Sequence, residues 1–140
     1  MNIIPTEYAL TFLLGGKARF VLWNKVSGNR FEYNVTIKED KSGRIWWVRS
    51  EHHFIGTLYE WNGSVQFKKS KDINPDLMEY KAITWYIGRL VNKPTSIPDN
   101  IVIYHLGICS VCQRQLTDPV SVEQGIGPVC RGRRVKTRSH

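Results

Sequence analysis

Between Ala18 and Phe67 apolar and polar residues alternate with a period of two, and clusters of glycine, asparagine, serine and charge break the alternation at intervals. That pattern predicts short antiparallel strands, each with one buried and one wet face. Residues 30–37 are the clearest case, with Phe31, Tyr33, Val35 and Ile37 on one side and Arg30, Glu32, Asn34 and Thr36 on the other. Residues 19–23 precede them across the turn-forming stretch 24–29, which predicts a hairpin. A charged turn at 38–43 leads to a strand at 45–48. Residues 54–59 then pair with 65–67 across Asn62-Gly63, a dipeptide suited to the left-handed conformations of a tight hairpin. Beyond this point the period lengthens. Pro75 and Asp76 predict the opening of a helix that runs to about Leu90, with Leu77, Tyr80, Ile83, Ile87 and Leu90 on one stripe and Met78, Trp85 and Tyr86 widening its contact surface.

After a stretch at 92–100 rich in proline and polar residues, Ile101-Val102-Ile103-Tyr104 predicts a strand that returns to the sheet. The expected fold class is α+β: a small antiparallel β-sheet packed with one main helix, plus a C-terminal zinc-binding module with three cysteine ligands and one histidine ligand. The expected organisation is a sheet-and-helix body over residues 1–100, a zinc-binding module docked to it over 101–131, and a basic tail over 132–140. A chain of 140 residues accommodates one small core and such an appendage, and hardly two independent domains.

All three cysteines lie in the last third of the chain, spaced with a histidine as H-x3-C-x2-C-x17-C through His105, Cys109, Cys112 and Cys130. A structural zinc takes four nitrogen or sulfur donors at tetrahedral corners, and two residues between the first pair of thiols let one tight turn aim both sulfurs at the same ion. One structural zinc per chain, held by His105, Cys109, Cys112 and Cys130, is the expectation. A disulfide or redox pair with one thiol left over, or plain buried cysteines, are the competing readings. His105 is preferred as fourth ligand because it ends a strand four residues before the first cysteine; His52, His53 and His140 are the other imidazoles, and Asp118 is a weaker oxygen donor. Local signals inside the loop agree with one another. Asp118 suits a helix cap, Pro119 a first helical position, and Gly125 the end of a short helix over 120–124. Pro128 can start a further helix, whose exposed amide hydrogens are expected to stabilise a Cys130 thiolate.

The segment 107–130 combines the Cys109/Cys112 knuckle, a Leu116-Thr117-Asp118-Pro119-x-Ser121 run, and Gly125-Ile126-Gly127-Pro128 ahead of Cys130. In these motifs it resembles the C-terminal segment of a family of mostly uncharacterised bacteriophage and bacterial proteins, and a looser likeness extends over residues 18–131. The resemblance implies Cys109, Cys112 and Cys130 as ligands and matches His105 to a histidine that often stands just upstream. It also implies a phage or mobile-element origin, and it brings no settled activity. Gln113 and Gln115 depart from the pattern, where glycine or a basic residue is more usual.

Charge bears on the partner. The formal net charge is +8, and residues 109–140 carry 6 basic and 2 acidic side chains, half of that excess in under a quarter of the length. Beyond Cys130 come Arg131, Arg133, Arg134, Lys136 and Arg138 with no acidic residue, a segment suited to phosphate contact through counterion release. A solvated tail, or docking on an acidic protein, would use the same residues. Trp23, Trp46, Trp47 and Trp61, interspersed with arginine and lysine, are candidates for stacking unpaired bases, against ordinary packing as the alternative. Adjacent Trp46 and Trp47 point to opposite faces of a strand, so at least one of them can belong to the core.

The function expected is that of a non-enzymatic, zinc-containing phage-type protein that binds nucleic acid, DNA rather than RNA, through its basic C-terminal region. Its role would be accessory to DNA replication, recombination or transcription. The alternative is a phage protein that binds and modulates a host protein through its rigid zinc-stabilised surface. Catalysis lacks a supporting constellation. Glu51-His52-His53, Asp72 and Asp76 have no spacing that demands a nuclease, and Gly15-Gly16-Lys17 lacks the rest of a phosphate-binding loop. No membrane span and no secretion signal are read in the sequence, so a cytoplasmic protein is expected, in the host cytoplasm if phage-encoded.

Overall fold

Antiparallel pairing takes up the whole alternating stretch. In the computed structural model, which describes residues 2–40, 43–128 and 130, the chain runs β1 (Asn2–Ile4), α1 (Thr6–Leu13), β2 (Lys17–Asn24), β3 (Arg30–Asp40), β4 (Gly43–Ser50), β5 (Phe54–Trp61), β6 (Ser64–Lys69), α2 (Met78–Asn92), β7 (Ile101–His105) and α3 (Pro119–Gln124). The strands make one seven-stranded sheet in the order β1-β7-β2-β3-β4-β5-β6. β2 to β6 form the meander that the alternation predicts. β7 returns after α2 and slots between β1 and β2, with Ile103 opposite Leu22 and His105 opposite Phe20.

Register decides which side chains are buried together. Phe20 lies opposite Tyr33, Ala18 opposite Val35, Val35 opposite Val48, and Trp46 opposite Leu58. These residues share one face of the sheet, and that face is covered by Ala9, Phe12 and Leu13 of α1 and by Ile83, Tyr86, Ile87 and Leu90 of α2. Each large apolar side chain removed from water in this layer contributes about 1.5–3 kcal/mol relative to exposure. Two buried polar groups tie the layers. The Trp46 indole N–H donates to the Leu14 carbonyl at 3.1 Å, and the Tyr33 hydroxyl donates to the Glu79 backbone carbonyl at 2.7 Å. Residues of the opposite parity, among them Arg19, Glu32, Lys38 and Arg49, are on the other face.

Three expectations need correcting. The α+β class with an antiparallel sheet stands, but α1 shares the covering of the sheet with α2, so the fold does not rest on one main helix. α2 begins at Met78 rather than at Pro75, because the Asn74 side chain accepts the Asp76 amide hydrogen at 2.9 Å in a turn and Leu77 keeps an extended backbone. The C-terminal cluster consists of three cysteines without the expected histidine, since His105 is engaged elsewhere. Among the described residues no helix is long and apolar enough to cross a membrane.

Two glycines separate crowding from conformational freedom. A Cβ on Gly56, between β4 and β6, would lie 2.3 Å from the Lys68 carbonyl oxygen, whereas one on Gly88 of α2 would meet nothing within 4 Å. Gly56→Ala is expected to destabilise the fold by about 1–3 kcal/mol. Gly88→Ala should stabilise it by about 0.5–1 kcal/mol through helix propensity. Urea denaturation of the two variants measures both, and equal effects would contradict the packing described.

Candidate metal centre

The last strand delivers the chain to the cysteines. Past His105, Gly107 turns the backbone at φ 82°, and an Ile108–Gln115 bridge closes a small hairpin whose tip is Cys109 to Arg114. The Cys109 amide donates to the Arg114 carbonyl at 2.8 Å and the Gln113 amide to the Cys109 carbonyl at 2.9 Å. Gln113 takes φ 64° at the tip, a left-handed conformation that glycine adopts without cost. This hairpin is bonded to the rest of the protein. The Lys17 amide donates to the Ser110 carbonyl at 2.6 Å, and the Ser110 amide donates to the Gly125 carbonyl at 2.9 Å. Gly15 makes room for it, since a Cβ there would lie 2.2 Å from Ser110 Oγ. The Gly15-Gly16-Lys17 stretch that fails as a phosphate loop is therefore where the knuckle docks.

The long interval to the third cysteine is spanned by α3, built as its sequence signals require. The Asp118 carboxylate accepts the Ser121 amide hydrogen at 3.0 Å, Pro119 stands at the helix start, and Gly125 ends it at φ 71°. Gly125 is also closed in by Phe12, whose ring would be 2.3 Å from an added Cβ. Past this cap, Gly127 comes beside the knuckle and donates its amide hydrogen to Cys109 Sγ at 3.3 Å.

The three sulfurs converge, all within 4.8 Å of one another, with Cys109 and Cys130 buried and Cys112 exposed. All three cysteines are free, so no disulfide competes for them. Zinc–sulfur bonds of about 2.3 Å in a tetrahedron would put sulfurs about 3.8 Å apart, a spacing that falls within the 4.8 Å over which these sulfurs converge. Its electrostatics also suit a cation. Burial pushes the Cys109 thiol up, but amide hydrogens from Gly127, Cys112 and Val111 outweigh burial and bring it below its ordinary value. Burial and the two neighbouring cysteines push Cys130 up to about 12. Among the described residues, the amide hydrogens that favour a thiolate gather at Cys109, whereas Cys130 is shifted the other way. Cys130 becomes a thiolate when a cation replaces its proton. The cluster is able to coordinate a metal ion.

His105 is not part of it. Its ring lies on the core face of β7, 2 % exposed, with Nε2 donating to the Val122 carbonyl and Nδ1 accepting the Gly107 amide hydrogen at 2.8 Å. Both ring nitrogens are used, so neither has a lone pair to offer a metal. Burial lowers the His105 pKa, although the bond to Val122 opposes that shift. The histidine ties β7 directly to α3, a link that spacing alone had assigned to a metal.

The other residues singled out from the sequence are scattered. Trp46 is 1 % exposed in the core, and Trp61 is 65 % exposed at the end of β5. Trp23 and Trp47 are half-buried on the open face of the sheet. His53 Nδ1 lies 2.6 Å from a Glu79 carboxylate oxygen at the start of α2, and His52 lies 3.9 Å from Glu51, both remote in sequence from the cysteines. Arg131, Arg133, Arg134, Lys136, Arg138 and His140 lie outside the described residues.

Replacing His105 by alanine would leave the Val122 carbonyl and Gly107 amide unpaired in a buried site, at about 1–3 kcal/mol for each. His105→Ala is therefore expected to lose about 2–6 kcal/mol of stability in denaturant titrations. In the parent protein the lowered pKa keeps His105 neutral when folded, while the unfolded chain takes up a proton near pH 6.5. This part of the stability is present above pH 6.5 and is lost as the pH falls below it. Nitrogen-15 spectra should show the Nε2-protonated tautomer at neutral pH and a titration midpoint below that of a free imidazole, and a midpoint above it would contradict the assignment.

A model described as "Family of unknown function (DUF6011)" matches residues 102–135, a stretch that contains all three cysteines and under a third of the chain. No curated protein and no solved structure matches. The C-terminal region of this chain is similar to an uncharacterised family.

Proposed function

We propose that the protein is a non-enzymatic, zinc-containing nucleic-acid-binding protein. The observation that carries this reading is the position of the cysteine cluster. Cys130, its last member, immediately precedes Arg131, Arg133, Arg134, Lys136 and Arg138 in a chain of net charge +8. A metal closing on Cys109, Cys112 and Cys130 would fix the root of that basic segment against the hairpin docked on β2. Zinc suits the donor set, because three convergent thiolates favour a borderline-soft ion over magnesium or calcium. The cysteines supply three of its four positions, and the fourth donor is not one of them. With three thiolates and a divalent ion the chain would still carry a formal charge of about +7.

In this reading the zinc organises the structure and the basic segment contacts phosphates. The contact does not depend on base sequence, as befits an accessory role in replication, recombination or transcription, with DNA as the more natural target. Binding of the metal-loaded protein to duplex DNA is expected to weaken steeply with salt. Neutralising Arg131, Arg133 and Arg134 to glutamine should lower the slope of log K against log salt by roughly 0.9 per arginine on duplex. An unchanged slope would rule out the phosphate contact. Stoichiometric capture of an acidic protein with no nucleic acid in the complex would replace this reading with that of a protein-binding module.

A further inference from the structure

Both packed helices cover the same side of the sheet, and the residues pointing away from them form a surface of distinctive composition. Strand register places Trp23 opposite Arg30, Arg19 opposite Asn34, Asn34 opposite Arg49, and Thr36 opposite Trp47. All of these belong to the face that α1 and α2 leave open. Three of the cations on it lie against the rings. The Arg30 guanidinium lies 5.0 Å from the centre of the Trp23 ring, Lys38 Nζ lies 5.0 Å from that of Trp47, and the Arg49 guanidinium lies 5.2 Å from it on Trp47 and on Phe54 alike. Glu32 is an acidic residue on the same face, and it pairs with Arg19 at 3.5 Å.

We infer that this open face is a platform for single-stranded nucleic acid, with Trp23 and Trp47 as stacking positions and Arg19, Arg30, Lys38 and Arg49 as backbone contacts. The inference rests on the nucleic-acid reading above for the class of ligand, but it stands on the sheet rather than on the segment after Cys130. Charge selects a polyanion, and the flat aromatic rings select one whose bases are accessible. A duplex keeps its bases stacked and would offer this flat surface only phosphates, whereas an unpaired strand can lay bases on tryptophan rings and guanidinium planes. Trp23 and Trp47 are two strands apart and offset by six residues along β3, so they are separated by roughly 20 Å. A strand crossing both lays several nucleotides over the polar ground between them, including Asn34 and Thr36. An acidic protein could match the charge, but it would make no use of the aromatic and guanidinium planes as stacking surfaces.

The test uses the full metal-loaded chain, a thymidine oligonucleotide of about 16 nucleotides and a duplex of the same length, titrated by fluorescence anisotropy. Trp47→Leu is expected to weaken single-strand binding roughly 5- to 150-fold while changing duplex binding less than two-fold. The doubly neutralised variant Lys38→Gln with Arg49→Gln alters side chains of the open face only, so it remains decisive if Trp47→Leu fails to fold. It should weaken single-strand binding and lower the salt slope by roughly 0.7 per charge. Parent-like affinity for the oligonucleotide in the double variant, or equal loss on single strand and duplex, would overturn the platform. Neutralising Arg131, Arg133 and Arg134 separates the two claims. If that change leaves binding intact while the face variants lose single-strand affinity, the tail contact fails and the platform stands; the reverse result overturns the platform alone.

Discussion

Three sulfur atoms held within 4.8 Å of one another set a constraint that the C-terminal third of the fold has to satisfy. Thiolates repel at that distance, and burial raises the energy of a charge on Cys109 or Cys130 further. Cys109 and Cys130 answer this in opposite ways. Amide hydrogens from Gly127, Cys112 and Val111 favour a Cys109 thiolate, while Cys130 is driven toward its protonated form. A divalent ion would take the place of the Cys130 proton and share its positive charge among the three sulfurs. The chain does not depend on that ion alone to hold its last third in place, because hydrogen bonds at Lys17, Ser110, Gly125 and His105 already join the hairpin and α3 to the sheet.

His105 shows how a spacing can be right about proximity and mistaken about chemistry. A histidine four residues before a C-x2-C pair reads as a ligand because the sequence carries no sign of where its ring points. β7 pairs His105 with Phe20, and that register sends the ring into the core beside Phe12 and toward α3. There both nitrogens are taken up by backbone groups. The imidazole acts as a neutral bolt between the returning strand and the segment that carries the cysteines. Losing it would cost packing and hydrogen bonds, which a mutational phenotype alone could mistake for loss of a ligand.

Strands β2 to β6 were legible in the alternation of Phe31, Tyr33, Val35 and Ile37 with their polar neighbours, because a half-buried strand writes its two faces into adjacent residues. The caps of α3 were legible for a similar reason: Asp118, Pro119 and Gly125 each answer a local backbone need. What local signals could not reveal was the pairing of distant segments. α1 was not predicted at all, since Ala9, Phe12 and Leu13 gain their meaning from a core shared with Phe20 and Trp46. The docking role of Gly15 needed the position of Ser110. The open face was within reach, because extending the parity of β3 to its neighbours groups Trp23, Arg30, Lys38, Trp47 and Arg49. That grouping also puts Trp46 on the other side, where its indole N–H meets the Leu14 carbonyl.

The central claim, that Cys109, Cys112 and Cys130 form a metal site without His105, is tested most directly by cobalt substitution. Cobalt(II) bound by cysteine gives thiolate-to-metal charge-transfer absorption whose strength reports the number of sulfur ligands. The parent protein and His105→Ala are expected to give the same three-thiolate spectrum at one equivalent of cobalt, displaced by zinc. Loss of any one cysteine should weaken it. A spectrum that changes in His105→Ala, or no charge-transfer absorption in the parent, would contradict the site described.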